Sequence, residues 1–386
     1  MARQVVKGKL DLDAIEREIQ YRSWFEHSEL LDDRDVIPDD EVELIVGSFQ
    51  KFCEDAVRIK VPGKRVSFKL RPAQLDTIRS WVQYRYTITL KARQIGFSTL
   101  AAAFALWCAI GGGNRQIYML SRREEDSVAL LNKCKVAWLG MPGWVRERAP
   151  AALDKTRLQM SFDNDSFIKS SPTASDPIRG ETAFLVIADE WASFPNQEEA
   201  WNSIEPATDI GGRLVGLSTA KGEGDFFHRM WVGAITESNT FYPIFHAWDA
   251  VPGRDQEWYE DKKRKFEPWQ LHQEYPANAE EAFIGSGNPY FDLDILREMV
   301  AKEPEGVYTI ELTRSGAKHD LIEDEHGLFT VWQHPKEGVA YVVGADIAQG
   351  LEHGDWSVAY VMDAESGDMV AKWRGKPAPD RFGEIL

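Results

Sequence analysis

The chain has 386 residues, and its 62 acidic against 45 basic side chains leave a formal net charge of −17. At 43% hydrophobic and 28% charged it is globular, not disordered, and long enough for two or three domains. The acid excess excludes a uniformly basic nucleic-acid-binding surface, so any contact with DNA must use a local basic strip. No apolar run approaches the ~20 residues that span a bilayer. MARQVVKGKLDLD lacks the apolar centre of a signal peptide, and no membrane partner is expected. Cys53, Cys108 and Cys134 are too few and too scattered for a disulfide framework or a zinc cluster. They read as reduced core thiols of a cytosolic protein.

Residues 1–62 read as an acidic helical segment, because LDLDAIEREIQYRSWFEHSELL and PDDEVELIVGSFQKFCEDAV place apolar residues at three- and four-residue spacing. VPGKRVSFKLRPAQ then marks a turn and a change of composition. From 63 to 285 the runs TITL, QIYML, LQMSF, FLVIADE and RLVGLST alternate with helical or loop segments. That alternation predicts an α/β domain with a parallel sheet flanked by helices. FLVIA is a continuous apolar run, as a strand covered on both faces requires. QEWYEDKKRKFEPWQLHQEY reads as one charged helix. Residues 286–336 read as a linker. Residues 337–386 form a β-rich block, EGVAYVVGADIAQG then DWSVAYVMDAESGDMVAKWRG, of two or three strands. So few strands do not make an independent core, so the block is expected to be the start of an incomplete domain.

KARQIGFST, Lys91 to Thr99, stands between the TITL strand and the helix STLAAAFALWCAI. A strand that delivers Gly-rich backbone to a helix N-terminus turns amides and the helix dipole toward an anion. The pattern G-x-x-x-x-G-K-[ST] would put glycine at Lys91 and lysine at Phe97. The segment Lys91, Ala92, Arg93, Gln94, Ile95, Gly96, Phe97, Ser98 and Thr99 is therefore a candidate ATP-binding loop with its cation moved, Lys91 and Arg93 replacing the missing lysine. Gly96 allows backbone to approach phosphate, and Ser98 stands where a hydroxyl ligates Mg2+. Upstream, the Gln74 amide either reads an adenine edge or is a surface helix residue. Downstream, FLVIADE ends in Asp189, a candidate to hold Mg2+ through its water shell, and Glu190, a candidate to deprotonate the attacking water. Arg179 either stabilises γ-phosphate charge or pairs with Asp176 or Glu181. Ser218, Thr219 and Ala220 end the next strand, where small hydroxyl residues can sense γ-phosphate.

The ordered set KARQIGFST, FLVIADEWASF, GLSTAKGEGDFF, EYPANAEEAFIGSG and GADIAQGLEHGDWSV resembles the large subunit of tailed-phage terminases, the DNA-packaging motors, over roughly residues 65 to 380. The resemblance implies a P-loop ATPase domain at 63–285 and the beginning of a ribonuclease-H-like nuclease domain at 337–386. Some family members place the lysine at the start of the loop, which Lys91 matches, and Arg93 matches the arginine of an R-Q-x-G core. Asp189 and Glu190 match the Mg2+ ligand and the catalytic glutamate, Ser218–Ala220 the coupling motif, and Arg179 an arginine that acts on a neighbouring subunit's ATP. The N-terminal helices resemble a segment that helps form a lid over the nucleotide. Asp346 matches the first nuclease aspartate, and Asp355 a second acidic position whose role varies. Together they would help hold two divalent ions, Mg2+ or Mn2+. The family's remaining ligands lie on later strands, beyond Leu386, so cutting by this chain is not expected to be complete.

The resemblance further implies double-stranded DNA, a ring of copies of the chain, a small terminase subunit and the capsid portal as partners. The implied location is the host cytoplasm, with transient residence on the procapsid and none in the mature virion. Arg122 and Arg123 are candidate DNA contacts, set against a self-paired face with the following Glu124, Glu125 and Asp126. A helicase-like ATPase is the alternative, and it requires a second ATPase-like domain after residue 280. A nucleotide-binding scaffold without hydrolysis is another, motivated by Phe97.

Overall fold

The computed structural model describes residues 12–32, 34–173, 178–284, 304–312, 319–351 and 355–386. The chain divides into two compact units, 1–293 and 294–386.

The first unit opens with α1 (Leu12–Ser23), a 3-10 turn at Ser28–Leu31, and α2 (Asp39–Asp55). Asp39, Asp40 and Glu41 fill the first turn of α2, where negative charge complements the helix dipole. Its buried stripe, Val42, Ile45, Val46, Phe49, Phe52 and Cys53, repeats at three and four residues. A hairpin of β1 (Arg58–Val61) and β2 (Lys64–Ser67) leads into α3 (Pro72–Gln83). Then follow β3 (Tyr86–Lys91), α4 (Phe97–Gly111), β4 (Gln116–Ser121), α5 (Glu124–Gly140) and α6 (Gly143–Arg146). β5 (Ala152–Lys155), β6 (Gln159–Phe162) and β7 (Phe167–Pro172) are joined antiparallel. β8 (Leu185–Asp189), α7 (Gln197–Thr208), β9 (Arg213–Ser218), α8 (Phe226–Ile235) and β10 (Tyr242–His246) complete the sheet region. α9 (Gln256–Lys263), α10 (Pro268–Glu274) and α11 (Ala279–Ile284) follow.

Eight strands form one sheet in the order β10-β3-β9-β8-β4-β7-β6-β5, and the six from β10 to β7 run parallel. β8 and β9 are buried along their whole length, as strands covered on both faces must be. α4 is buried from Leu100 to Ile110 and is apolar all round, because sheet and N-terminal helices enclose it. Cys53, Cys108 and Cys134 are all buried free thiols, as expected.

Three differences from the sequence reading have physical reasons. The charged helix is two helices, because Pro268 has no N–H to continue the first and serves at the start of the second. Strands β1, β2, β5, β7 and β10 are additional to those the apolar runs predict. The N-terminal segment also reaches the far edge of the sheet. Residues 28–37 fasten to the edge of the sheet opposite the phosphate loop, where the strands begin. Arg115, just before β4, donates to the Ser28 carbonyl at 2.7 Å and to Asp32 at 2.9 Å. Arg213, the first residue of β9, is 1% exposed and donates to the carbonyls of Leu31, Arg34, Trp81, Val82 and Tyr84 at 3.0–3.4 Å. Burial lowers its pKa to about 10. The β1 strand does reach the other edge, lining a groove between α4 and α5 that includes Thr99.

The second unit is a six-stranded antiparallel sheet in the order β12-β11-β13-β16-β15-β14. Its strands are β11 (Gly306–Leu312), β12 (His319–Glu323), β13 (Phe329–Val331), β14 (Tyr341–Asp346), β15 (Ser357–Asp363) and β16 (Met369–Gly375), followed by α12 (Pro379–Ile385). Residues 306–331 are thus strands of this sheet, although the sequence reads 286–336 as a linker; 286–303 and 313–318 lie outside the described residues. Phe382 of α12 covers one sheet face, packing on Trp373 at 5.2 Å beside Ala359. The block after 337 does yield three strands.

Candidate active site

Six parallel strands end on one edge of the first sheet, and in such sheets ligands bind beyond the carboxyl ends. Lys91 ends β3, Ser218 ends β9, Asp189 ends β8, Ser121 ends β4 and His246 ends β10. β9 lies between β3 and β8, so the hydroxyl tip stands between the loop strand and the acid strand.

The loop from Lys91 to Thr99 has two left-handed residues, Gln94 at φ 58° and Gly96 at φ 82°. A side chain at Gly96 would meet the Arg71 guanidinium at 2.6 Å. Phe97, where the lysine of the usual motif would be, is 2% exposed and sets its ring edge-on against His246 at 5.0 Å. It is a core residue, and burial lowers the pKa of His246 as well. Lys91 is 5% exposed, and its Nζ donates to Glu190 Oε1 at 2.8 Å.

Arg93 does otherwise. It is exposed to solvent and pairs with Glu274 at 2.9 Å, while its N–H donates to the Glu274 carbonyl at 2.8 Å. Arg254 donates to the carbonyls of Arg93 and Gln94 at 3.2–3.3 Å and holds the loop from outside. Ala92 and Ile95 are buried. Gln74 is 1% exposed, and its amide is used inside the protein: its oxygen accepts from the Arg71 N–H at 3.1 Å and its nitrogen donates to the Gly96 carbonyl at 3.4 Å. The amide braces the loop and does not face solvent as a surface residue would.

Ser98 donates its hydroxyl to Asp189 Oδ1 at 3.2 Å. Burial, with the Glu190 charge adding to it, pushes Asp189 up to about 6, against the pull of Lys91 and Ser98. Burial also opposes the charge on Glu190, but the Lys91 ammonium and the Thr219 N–H outweigh it and bring that carboxyl below its ordinary value. Glu190 itself has a left-handed backbone, φ 59°, an uncommon conformation for glutamate that turns it out of the strand. Thr219 donates its N–H and hydroxyl to Glu190 Oε2 at 3.3 and 3.4 Å, and Ala192 N–H donates to Ser218 Oγ at 3.1 Å. Ala220 is buried beside them. The β9 tip therefore grips the acid and its following turn directly. Gly216 makes that possible, because a Cβ there would strike the Trp191 ring at 2.7 Å.

Asp189, Glu190 and Thr219 open into a cleft of ≈ 340 Å³ whose cationic rim includes Arg122, Lys133 and Lys221. Arg122, 3.8 Å from Asp126, thus faces this cleft. Arg179 sits exposed in a turn after buried Ile178 and does not line the cleft; Asp176, its suggested partner, lies outside the described residues. Sequence reasoning missed Arg71, Glu274 and Arg254. The LRPAQ stretch carries a signal for Arg71, a cation three residues before the glutamine.

A hydroxyl and a carboxylate in contact form the oxygen donor set that a hard divalent cation prefers, so Ser98 and Asp189 fit Mg2+. The second unit offers less. Asp346 ends β14 and Asp355 precedes β15, both exposed, and among the described residues no group of three or more His, Cys, Asp or Glu is arranged for a metal. No helix among the described residues is long and apolar enough to cross a membrane.

No family model matches the chain. Solved structures do. The chain is similar to phage large terminases. The large terminase ATPase domain of Thermus phage P74-26 matches with a TM-score of 0.45 and 22% identity, over 55% of this chain and 94% of that one. The HK97 bacteriophage large terminase matches with a TM-score of 0.47 and 15% identity, over 84% and 67%. The large terminase of a thermophilic bacteriophage, solved in complex with ADP, matches with a TM-score of 0.42 and 12% identity, over 82% and 73%.

Proposed function

We propose that this chain is an ATP-hydrolysing motor that moves double-stranded DNA, the large subunit of a phage terminase. One observation carries it: at a single sheet edge, Lys91 and Thr219 hold Glu190 while Ser98 holds Asp189. Lys91 and the amides at the start of α4 neutralise triphosphate charge. Ser98 and Asp189 hold Mg2+, which when bound neutralises charge on the phosphate oxygens. Glu190 accepts the proton of the attacking water. When triphosphate draws the Lys91 ammonium, one of Glu190's partners leaves, and its carboxylate turns to water. Because Thr219 shares that carboxylate, the change passes to the segment after β9.

The helicase alternative calls for a second ATPase-like sheet after residue 280; an antiparallel sheet stands there instead. The motor works as a ring on the capsid portal in the host cytoplasm, guided by a small subunit. Asp346 and Asp355 supply part of a divalent-metal nuclease site, completed by acids beyond those described. Arg179 serves a neighbour's nucleotide.

The test is phosphate release from ATP by the parent chain and by Glu190→Gln. The parent turns over, and the variant binds nucleotide with at most about one hundredth of the rate. A parent without turnover favours the scaffold alternative; an unimpaired variant removes Glu190 from the reaction.

A further inference from the structure

The face of the second sheet that carries Asp346 also carries its cations. Cross-strand partners share a face, and Val358 pairs with both Asp346 on β14 and Arg374 on β16. The acid and the guanidinium therefore stand in one row, two strand spacings or about 10 Å apart. In the neighbouring register Ala345, Ala359 and Trp373 turn to the opposite face, where Trp373 and Ala359 are buried against Phe382.

Along β16 the outward positions Lys372 and Arg374 stand about 6.6 Å apart, and Lys376 follows just beyond the end of the strand. That interval is comparable with the separation of successive phosphates along an extended strand. Trp356, 44% exposed, lies against two of these cations: Arg374 at 4.3 Å from the ring centre and Lys376 at 4.8 Å. Lys372 faces Trp332 at 5.9 Å. Among the described residues Arg374 has no carboxylate partner. The chain is acidic overall, yet this row is basic and backed by indole, the combination that holds a nucleic-acid strand.

We infer that Lys372, Arg374, Lys376 and Trp356 form a seat for the sugar–phosphate backbone of a DNA strand, laid so that the strand passes Asp346. The three cations take successive phosphates, and the Trp356 ring takes a sugar or base. The inference rests on reading Asp346 as a nuclease ligand only for what happens to the strand afterwards, not for its binding.

The experiment uses the 386-residue chain and a short fluorescent DNA strand in Ca2+, reading affinity against salt. Replacing Lys372, Arg374 and Lys376 together by glutamine lowers the slope of log affinity against log salt by about 2 to 3. Arginine or lysine exchanged for one another at these sites retains it. Trp356→Ala weakens binding about tenfold. A strand carrying iododeoxyuridine crosslinks to the peptide that contains Trp356. An unchanged slope in the glutamine variant, crosslinks confined to residues 12–284, or a parent that does not bind DNA overturns the seat. Cleavage in Mn2+ separates the two ideas. If the parent does not cut while the slope still falls, the nuclease reading fails and the seat stands. If the parent cuts, Asp346→Asn stops cutting and the slope does not respond to the cations, the seat fails alone.

Discussion

FLVIAD and YVVGAD read alike: an apolar run closing on aspartate. The first forms β8, fourth from one edge of an eight-stranded sheet and buried along its length; the second forms β14, the edge strand of a six-stranded sheet with exposed residues on both faces. Asp189 is 9% exposed, bonded to Ser98 and flanked by Lys91 and Glu190, and burial moves its pKa by a large margin. Asp346 has none of these neighbours among the described residues. A strand-borne acid takes its chemistry from the strands on either side, and those are chosen by topology.

Substitutions at these positions test that contrast. The largest effect is expected where the sheet edge depends on one cation. Lys91→Met should lower ATP turnover about 10²- to 10³-fold in steady-state phosphate release. Adding Phe97→Lys should not restore it, because Phe97 lies in the core beside His246. That second change alone should cost at least about 3 kcal/mol in denaturant unfolding. Recovery of turnover in the double variant would mean that the loop can take its cation from either end.

Next in size is a pH effect. Asp189 titrates at about 6 in the folded chain against an ordinary 3.8. The folded state therefore keeps a proton that the unfolded state releases, and stability falls as pH rises between these values. Asp189→Asn removes that slope. Its stability relative to the parent should increase from pH 4 to 6 and level off above 7. Glu190 works in the opposite sense, its contribution being lost as pH falls. A parallel pair of stability curves would contradict the burial assigned here.

Gly96→Ala is smaller, about 1–2 kcal/mol, from a left-handed backbone and a displaced Arg71. Asp346→Asn should be smallest, within about 0.5 kcal/mol by thermal melting, as for an exposed residue away from packing. A larger loss there would show that β14 is not the open edge described.

What was legible followed local rules. The loop, the D-E pair and the S-T-A tip each lie within a few residues, and the parallel sheet brought them together as strand alternation implied. Residues delivered from a distance were not legible: Arg254 and Glu274 reach the loop from helices and turns some 160 to 180 positions away. β10 was hidden by Pro243, which a strand tolerates here because β10 is the sheet edge. β7, FIKSSP, has too many polar residues to show a run. Phe97 looked like a damaged motif, and only its packing reveals a core residue.

Five backbone oxygens from two separate stretches converge on Arg213, a fully enclosed positive group at the root of β9. Remove the stretch ahead of Asp39 and that ion loses two of its five acceptors and its cover from solvent. Amino-terminal trimming of this protein should therefore be felt by the very strand whose far end grips Glu190. Leu31 and Arg34 thus belong to the support of that strand.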